Sequence, residues 1–159
     1  MDFSSLDVLK KAGFRGFNTV SEMQDGLWHR LPDYPGVYII FRYDATAPEF
    51  LEIGSGGFFK GKDPNVSKAE LQANWVPGAH VVYIGKATSL KKRLGQYMRF
   101  GDGKSVGHWG GRYIWQLADA EDLIVCHKLT DEDPRAVEAD LIQDFISQYG
   151  QRPFANLKD

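Results

Sequence analysis

The stretch from Val81 to Arg112, VVYIGKATSLKKRLGQYMRFGDGKSVGHWGGR, constrains the fold more than any other part of the chain. It opens with an apolar run that stops at Tyr83-Ile84-Gly85, the pattern of a strand ended by a glycine. A helix follows. Thr88 or Ser89 suits its N-cap, and Leu90, Leu94, Tyr97 and Met98 recur on one helical face. At about 100° per residue Arg93 falls between Tyr97 and Phe100, at the edge of that apolar arc, whereas Lys91, Lys92 and Arg99 fall outside it. One guanidinium is therefore aimed at the protein, either snorkelling along the core edge or serving a site.

Charge sharpens the choice. From Tyr83 to Arg112 there are seven Lys and Arg residues (Lys86, Lys91, Lys92, Arg93, Arg99, Lys104 and Arg112) against Asp102 alone. Residues 117–144 hold nine acids against Lys128 and Arg135, and the whole chain carries a formal charge of −2. A basic stretch interleaved with Tyr97, Phe100, Trp109 and Tyr113 suits a phosphate backbone and stacked bases. A solvated helix face is the plain alternative.

With 159 residues, 43% of them hydrophobic and 25% charged, the chain is read as one compact domain with a real core. The single cysteine, Cys126, excludes an internal disulfide and a cysteine-rich zinc site, and its apolar surroundings suggest a buried, inert thiol. The start of the chain has no apolar run of signal-peptide type, so a reducing, cytoplasmic setting is expected.

Residues 4–12 read as a short helix capped by Ser4 or Ser5, and Thr19-x-x-Glu22 as a capping box opening a second. Residues 1–34 are thus expected to be a helical extension that serves packing. LPDYPG is a turn signal before the strand VYIIFRY. Residues 44–80, inserted between this strand and the next, are read as a loop or small hairpin that lines a substrate groove. In it, EFLEI suggests an edge strand, GSGG a tight turn, and Ser67-x-x-Glu70 a helix through Trp75. GSGGFFKGK lacks the spacing and the terminal Lys-Ser/Thr of a phosphate loop. YIWQLA is open between strand and helical turns, and LIVCHKLT reads as a strand.

Asp133-Pro134 opens the longest helix, which ends near Gly150. Its apolar members are Val137, Leu141, Ile142, Phe145, Ile146 and Tyr149, and Glu138 lies in their midst on the wheel. A carboxylate there is expensive unless paired or bound to metal. Two explanations stand: a buried ion pair with Arg93 or Arg112, or a cleft carboxylate that holds a divalent cation. Mg²⁺ is often held by one or two carboxylates plus substrate phosphate and water.

Pro35-Gly36-Val37-Tyr38, then Tyr83-Ile84-Gly85-Lys86-Ala87, then Leu90-Lys91-Lys92-Arg93 with Tyr97, resemble the GIY-YIG nuclease domain. Glu138 in VEADLI and Asn156 in RPFAN extend the match, which covers residues 35–43 and 81–157. The resemblance implies an α/β fold with a small three-stranded antiparallel sheet flanked by helices, YIWQLA being one of them. It implies that Tyr38 and Tyr83 share one face, and that Glu138 is the single metal-binding carboxylate, for Mg²⁺ or Mn²⁺. Arg93 would steady the scissile phosphate, and Tyr83 or Tyr38 would orient or deprotonate the attacking water. Tyr97 matches a position held by tyrosine or histidine, and Lys86 would lower a tyrosine pKa or touch phosphate. Asn156 would brace the site by hydrogen bonds. His108, in a glycine-rich loop, is either an alternative base or a surface histidine.

The expected function is metal-dependent hydrolysis of DNA phosphodiester bonds. Lys86, Lys91, Lys92, Arg99, Lys104 and Arg112 are the expected nucleic-acid contacts. The alternatives are a catalytically silent nucleic-acid-binding domain of the same fold and a protein-interaction domain using exposed Trp28 and Trp75.

Overall fold

Four antiparallel strands organise residues 1–157, the part of the chain that the computed structural model describes. They are β1 (Arg15–Thr19), β2 (Gly36–Phe41), β3 (Val81–Ala87) and β4 (Ile124–Leu129), in the spatial order β1-β4-β2-β3. Around them lie α1 (Leu6–Lys11), α2 (Val20–Gln24), α3 (Lys68–Asn74), α4 (Leu90–Gly101) and α5 (Pro134–Tyr149). The YIWQ part of YIWQLA lies in a 3-10 helix, Arg112–Gln116. No helix among the described residues is long and apolar enough to cross a membrane.

The expected sheet of three strands is one strand short. The fourth, β1, comes from the segment read as a helical extension, and it pairs with β4 through Arg15↔His127 and Thr19↔Ile124. Gly16 and Phe17 both take positive φ, and a bulge separates Gly16 from Asn18. That irregularity removes the apolar alternation by which a strand is recognised.

The central strand β2 reads GVYIIF without alternation because both its faces are covered and all its residues are buried. Tyr38 and Ile40 pack with Leu90, Leu94 and Tyr97 beneath α4. Val37, Ile39 and Phe41 pack on the other side with Leu9 of α1 and with Leu141 and Phe145 of α5. Cys126 is buried in this second layer, where burial pushes its thiol up. Edge strand β3 would expose unpaired backbone groups. The C-terminal segment covers them: Ala155 N donates to Val82 O at 2.8 Å, and Asn156 Nδ2 donates to Ile84 O at 2.8 Å.

Capping follows the sequence closely. Ser5, Thr19, Ser67, Ser89 and Asp133 each accept a backbone N–H at a helix start, with the full capping box at Thr19 and Glu22. Gly150 ends α5 at φ +81°.

The insertion is laid against the 3-10 helix rather than projecting from it. EFLEI supplies a single bridge, Phe50↔Leu117, and is not a strand. Gln116 Nε2 donates to Leu51 O and Val66 O, and its Oε1 accepts from Val66 N. The glycine-rich run is a close approach of two backbones: a Cβ on Gly54 would stand 2.2 Å from Trp115 O, and one on Gly57 2.1 Å from Lys104 O. Arg42 anchors the entry to the insertion through Asp119 at 2.7 Å and stacks on Trp75. Trp75 is 6% exposed, and Trp28 lies over Gly95 of α4, so neither forms the exposed interaction surface envisaged for them.

Gly85 faces Tyr38 across the β2–β3 ladder, and a Cβ there would meet Tyr38 ring carbons at 2.2 and 2.6 Å. Tyr38 is fully enclosed and cannot swing aside. Gly85→Ala is therefore expected to lower the unfolding free energy by about 1–3 kcal/mol, the range for overpacking. A chemical-denaturation midpoint equal to that of the natural protein would contradict this packing.

Candidate active site

The site forms at the outer edge of the sheet, where α4 covers one face and α5 the other. There a cleft of about 520 Å³ is lined by Tyr38, Tyr83, Lys86, Arg93 and Glu138. The backbone dictates this meeting. Tyr38 and Tyr83 lie on the same face of neighbouring strands, with ring centroids 6.0 Å apart. Ser89 caps α4 immediately after β3, which places Arg93 one turn into the helix. Arg93 Nη1 donates to Gly107 O at 2.8 Å and to Gln96 Oε1 at 3.2 Å, so its guanidinium is tethered without a carboxylate among the described residues.

Glu138 reaches the cleft from α5 with its side chain 17% exposed. Its partner is Lys86, 3.3 Å away, and not Arg93 or Arg112. Lys86 is itself half-exposed, so the pair is worth little in stability. No group of three or more His, Cys, Asp or Glu converges among the described residues. A single cleft-facing carboxylate still fits a hard cation such as Mg²⁺ or Mn²⁺, when water and a substrate phosphate complete the ligand set.

Behind the cleft lies a closed aromatic stack. His108 is fully buried, not a surface residue; its ring lies on Tyr97 at 3.7 Å between centroids and 8° between planes. His108 Nε2 and the Tyr38 hydroxyl share a hydrogen bond of 2.8 Å, and His108 Nδ1 has no partner among the described residues. Tyr97 is sealed from solvent and donates its hydroxyl to Gly111 O at 2.7 Å. Neither Tyr97 nor His108 lines the cleft; both meet it through Tyr38 and Tyr83.

Burial dominates the ionisation of the three phenols. It raises Tyr38 and Tyr97 well above the ordinary range, and it lifts Tyr83 to about 12, with Arg93 opposing and Glu138 adding. Lys86, expected to lower a tyrosine pKa or touch phosphate, is not among the groups that shift Tyr83; Arg93 is the cation that opposes the rise, and burial outweighs it. The Tyr38 hydroxyl lowers the Tyr83 pKa in turn, the smallest of these effects.

The expected nucleic-acid contacts separate by position. Lys86 and Lys92 line the cleft, while Lys91 sits half-buried at the start of α4. Arg99 turns to the far side, stacking on Trp28 and donating Nε to Gly95 O. Lys104 is exposed in the turn after α4, and Arg112 lies in an adjoining compartment with Trp109. Asn156 braces β3 from outside, with Oδ1 accepting from Ile84 N at 2.9 Å. Two cations were missed: Arg135, which lines the cleft, and Arg152, which lies just beyond it. Arg135 precedes Glu138 by three residues on the same helix face, a spacing that could have revealed it.

Comparison of the chain with family models, with curated proteins and with solved structures finds no match.

The buried imidazole has a testable consequence. Burial, reinforced by Arg93, holds His108 well below the usual histidine range. An unfolded chain protonates it near pH 6.5. Below that pH the unfolded state binds a proton that the folded state refuses. Stability therefore falls with decreasing pH by up to about 1.4 kcal/mol per unit, and this contribution to the slope vanishes above about pH 6.5. Denaturation measured between about pH 7 and pH 5 should show His108→Phe declining less steeply than the natural protein. The lowered His127 contributes equally to both and cancels. Parallel slopes would contradict the buried neutral state of His108.

Proposed function

We propose that this protein is a divalent-metal-dependent endonuclease that hydrolyses DNA phosphodiester bonds, of the GIY-YIG kind that its motifs resemble. The observation that carries the reading is the convergence of Tyr83, Lys86, Arg93 and Glu138, drawn from β3, α4 and α5, on one cleft. The partly buried Arg93 guanidinium, fixed by Gly107 and Gln96 with no carboxylate among the described residues, is preorganised for an oxyanion. The lone buried Cys126 suits a reducing, cytoplasmic setting.

In this mechanism the diester phosphate sits against Arg93, which stabilises charge developing on its non-bridging oxygens. Lys86 leaves Glu138 to meet phosphate, a short movement for a flexible, half-exposed side chain. Tyr83, ionised to its phenolate, accepts the proton of the attacking water as the water oxygen bonds to phosphorus. The P–O bond to the departing sugar oxygen breaks, and that oxygen takes a proton from solvent. Tyr38, locked by His108 and Gly85, keeps the Tyr83 ring in place. A divalent cation on Glu138 would supply Lewis-acid stabilisation and turn that position from one that raises the Tyr83 pKa into one that lowers it.

Nicking of supercoiled DNA with Mg²⁺ and with EDTA tests the reading, the expectation being cleavage only with the metal. A base raised to about 12 must lose its proton to act. The kcat/KM for cleavage is thus expected to climb with pH throughout the neutral and mildly alkaline range. Tyr83→Phe retains the ring and is expected to lose about two to four orders of magnitude in rate. A Tyr83→Phe rate near that of the natural protein, with the same pH profile, would remove Tyr83 from the chemistry. DNA binding without cleavage at any metal concentration would leave the silent binding domain.

A further inference from the structure

The cleft does not end at Glu138. A second compartment of about 650 Å³ shares Tyr83, Arg93 and Glu138 with it and adds Arg152. A third, of about 950 Å³, shares Gly110, Arg152 and Asn156 with the second and adds Arg112 and Trp109. The three form one groove passing outside the β3 edge.

At the far end stand two fixed guanidiniums. Arg112 lies 4.6 Å from the Trp109 ring centroid and 5.5 Å from that of Tyr113, with Nη1 donating to Trp109 O at 3.2 Å. Arg152 Nη1 donates to Leu157 O at 3.3 Å. Neither is in a salt bridge among the described residues. Glu70 of the insertion also faces this compartment; its carboxylate accepts from the Tyr113 hydroxyl, and its charge also acts on Arg112 without closing a salt bridge. The hydrogen bond from Tyr113 fixes one of the two rings that hold Arg112. A guanidinium packed against aromatic faces keeps its N–H edge free for bidentate contact with an oxyanion.

We propose that this far compartment is a second phosphate site, in which Arg112 and Arg152 grip the backbone of the DNA strand away from the cleaved bond. Helix α3 of the insertion forms one wall, and Glu70 fixes the Arg112 support. The inference rests on the reading of the protein as a DNA-acting enzyme, and it gives the insertion a role in holding the substrate.

The test is binding of a fluorescein-labelled DNA duplex in EDTA, followed by anisotropy across a salt series. Arg112→Ala and Arg152→Ala should each weaken binding about tenfold and reduce the slope of log K against log salt by about one unit, with the double variant losing about two. Arg112→Lys, which retains the charge, should keep the slope. A double variant with the affinity and slope of the natural protein would overturn the second site while leaving the nuclease reading intact. Equal slope loss in Arg112→Lys and Arg112→Ala would also overturn it, since the loss would then reflect disturbed folding. Failure of the natural protein to bind DNA would overturn both readings.

Discussion

The Tyr38 ring lies so close over Gly85 that no β-carbon fits between them, and the site is built outward from that contact. It fixes Tyr38 on the central strand, whose hydroxyl then meets His108. His108 lies flat on Tyr97, and Tyr97 is tied to Gly111, against which its hydroxyl packs too tightly for any β-carbon. A chain of ring contacts thus connects β2, α4 and the loop after α4. That loop also supplies Gly107, whose carbonyl orients Arg93. Interiors packed this densely transmit displacement, so the floor of the cleft holds its shape as a unit.

Above that floor the energetics run against ordinary stability. Arg93 is half-buried without a counter-charge among the described residues, and Tyr83 is 8% exposed in the company of Glu138. Desolvation outweighs the attraction of Arg93, so the phenol pKa rises to about 12. An enclosed phenol beside a fixed guanidinium without a salt bridge among the described residues is the arrangement on which the active-site reading rests. The only ion pair in the cleft among the described residues, Lys86 with Glu138, is long and partly exposed, and so contributes little to stability.

The regular elements were legible because their signals are local. Apolar runs bounded by turn residues, helical periodicity and Ser or Asp caps located β2, β3, α4 and α5, and placed Tyr38, Tyr83, Arg93 and Glu138 on them. What could not be read depends on contacts distant in sequence. Strand β1 is distorted by Gly16 and Phe17 and exists through β4, more than a hundred residues away. GSGG reads as a turn, yet its glycines answer to the backbones of Trp115 and Lys104. His108 sits in a loop without periodicity, and only the tertiary fold places it between Tyr97 and Tyr38. Glu138 lay in the predicted apolar arc, but its partner is set by the way α5 crosses β3.

Single-turnover cleavage by Glu138→Gln tests the central claim most directly, since the swap preserves size and removes only the charge. The account predicts a rate at least about a hundredfold lower, as for loss of a metal-binding carboxylate. It also predicts a folding stability within about 1 kcal/mol of the natural protein, because the Lys86 pair is partly exposed. Cleavage at the natural rate by a fully folded Glu138→Gln would contradict it.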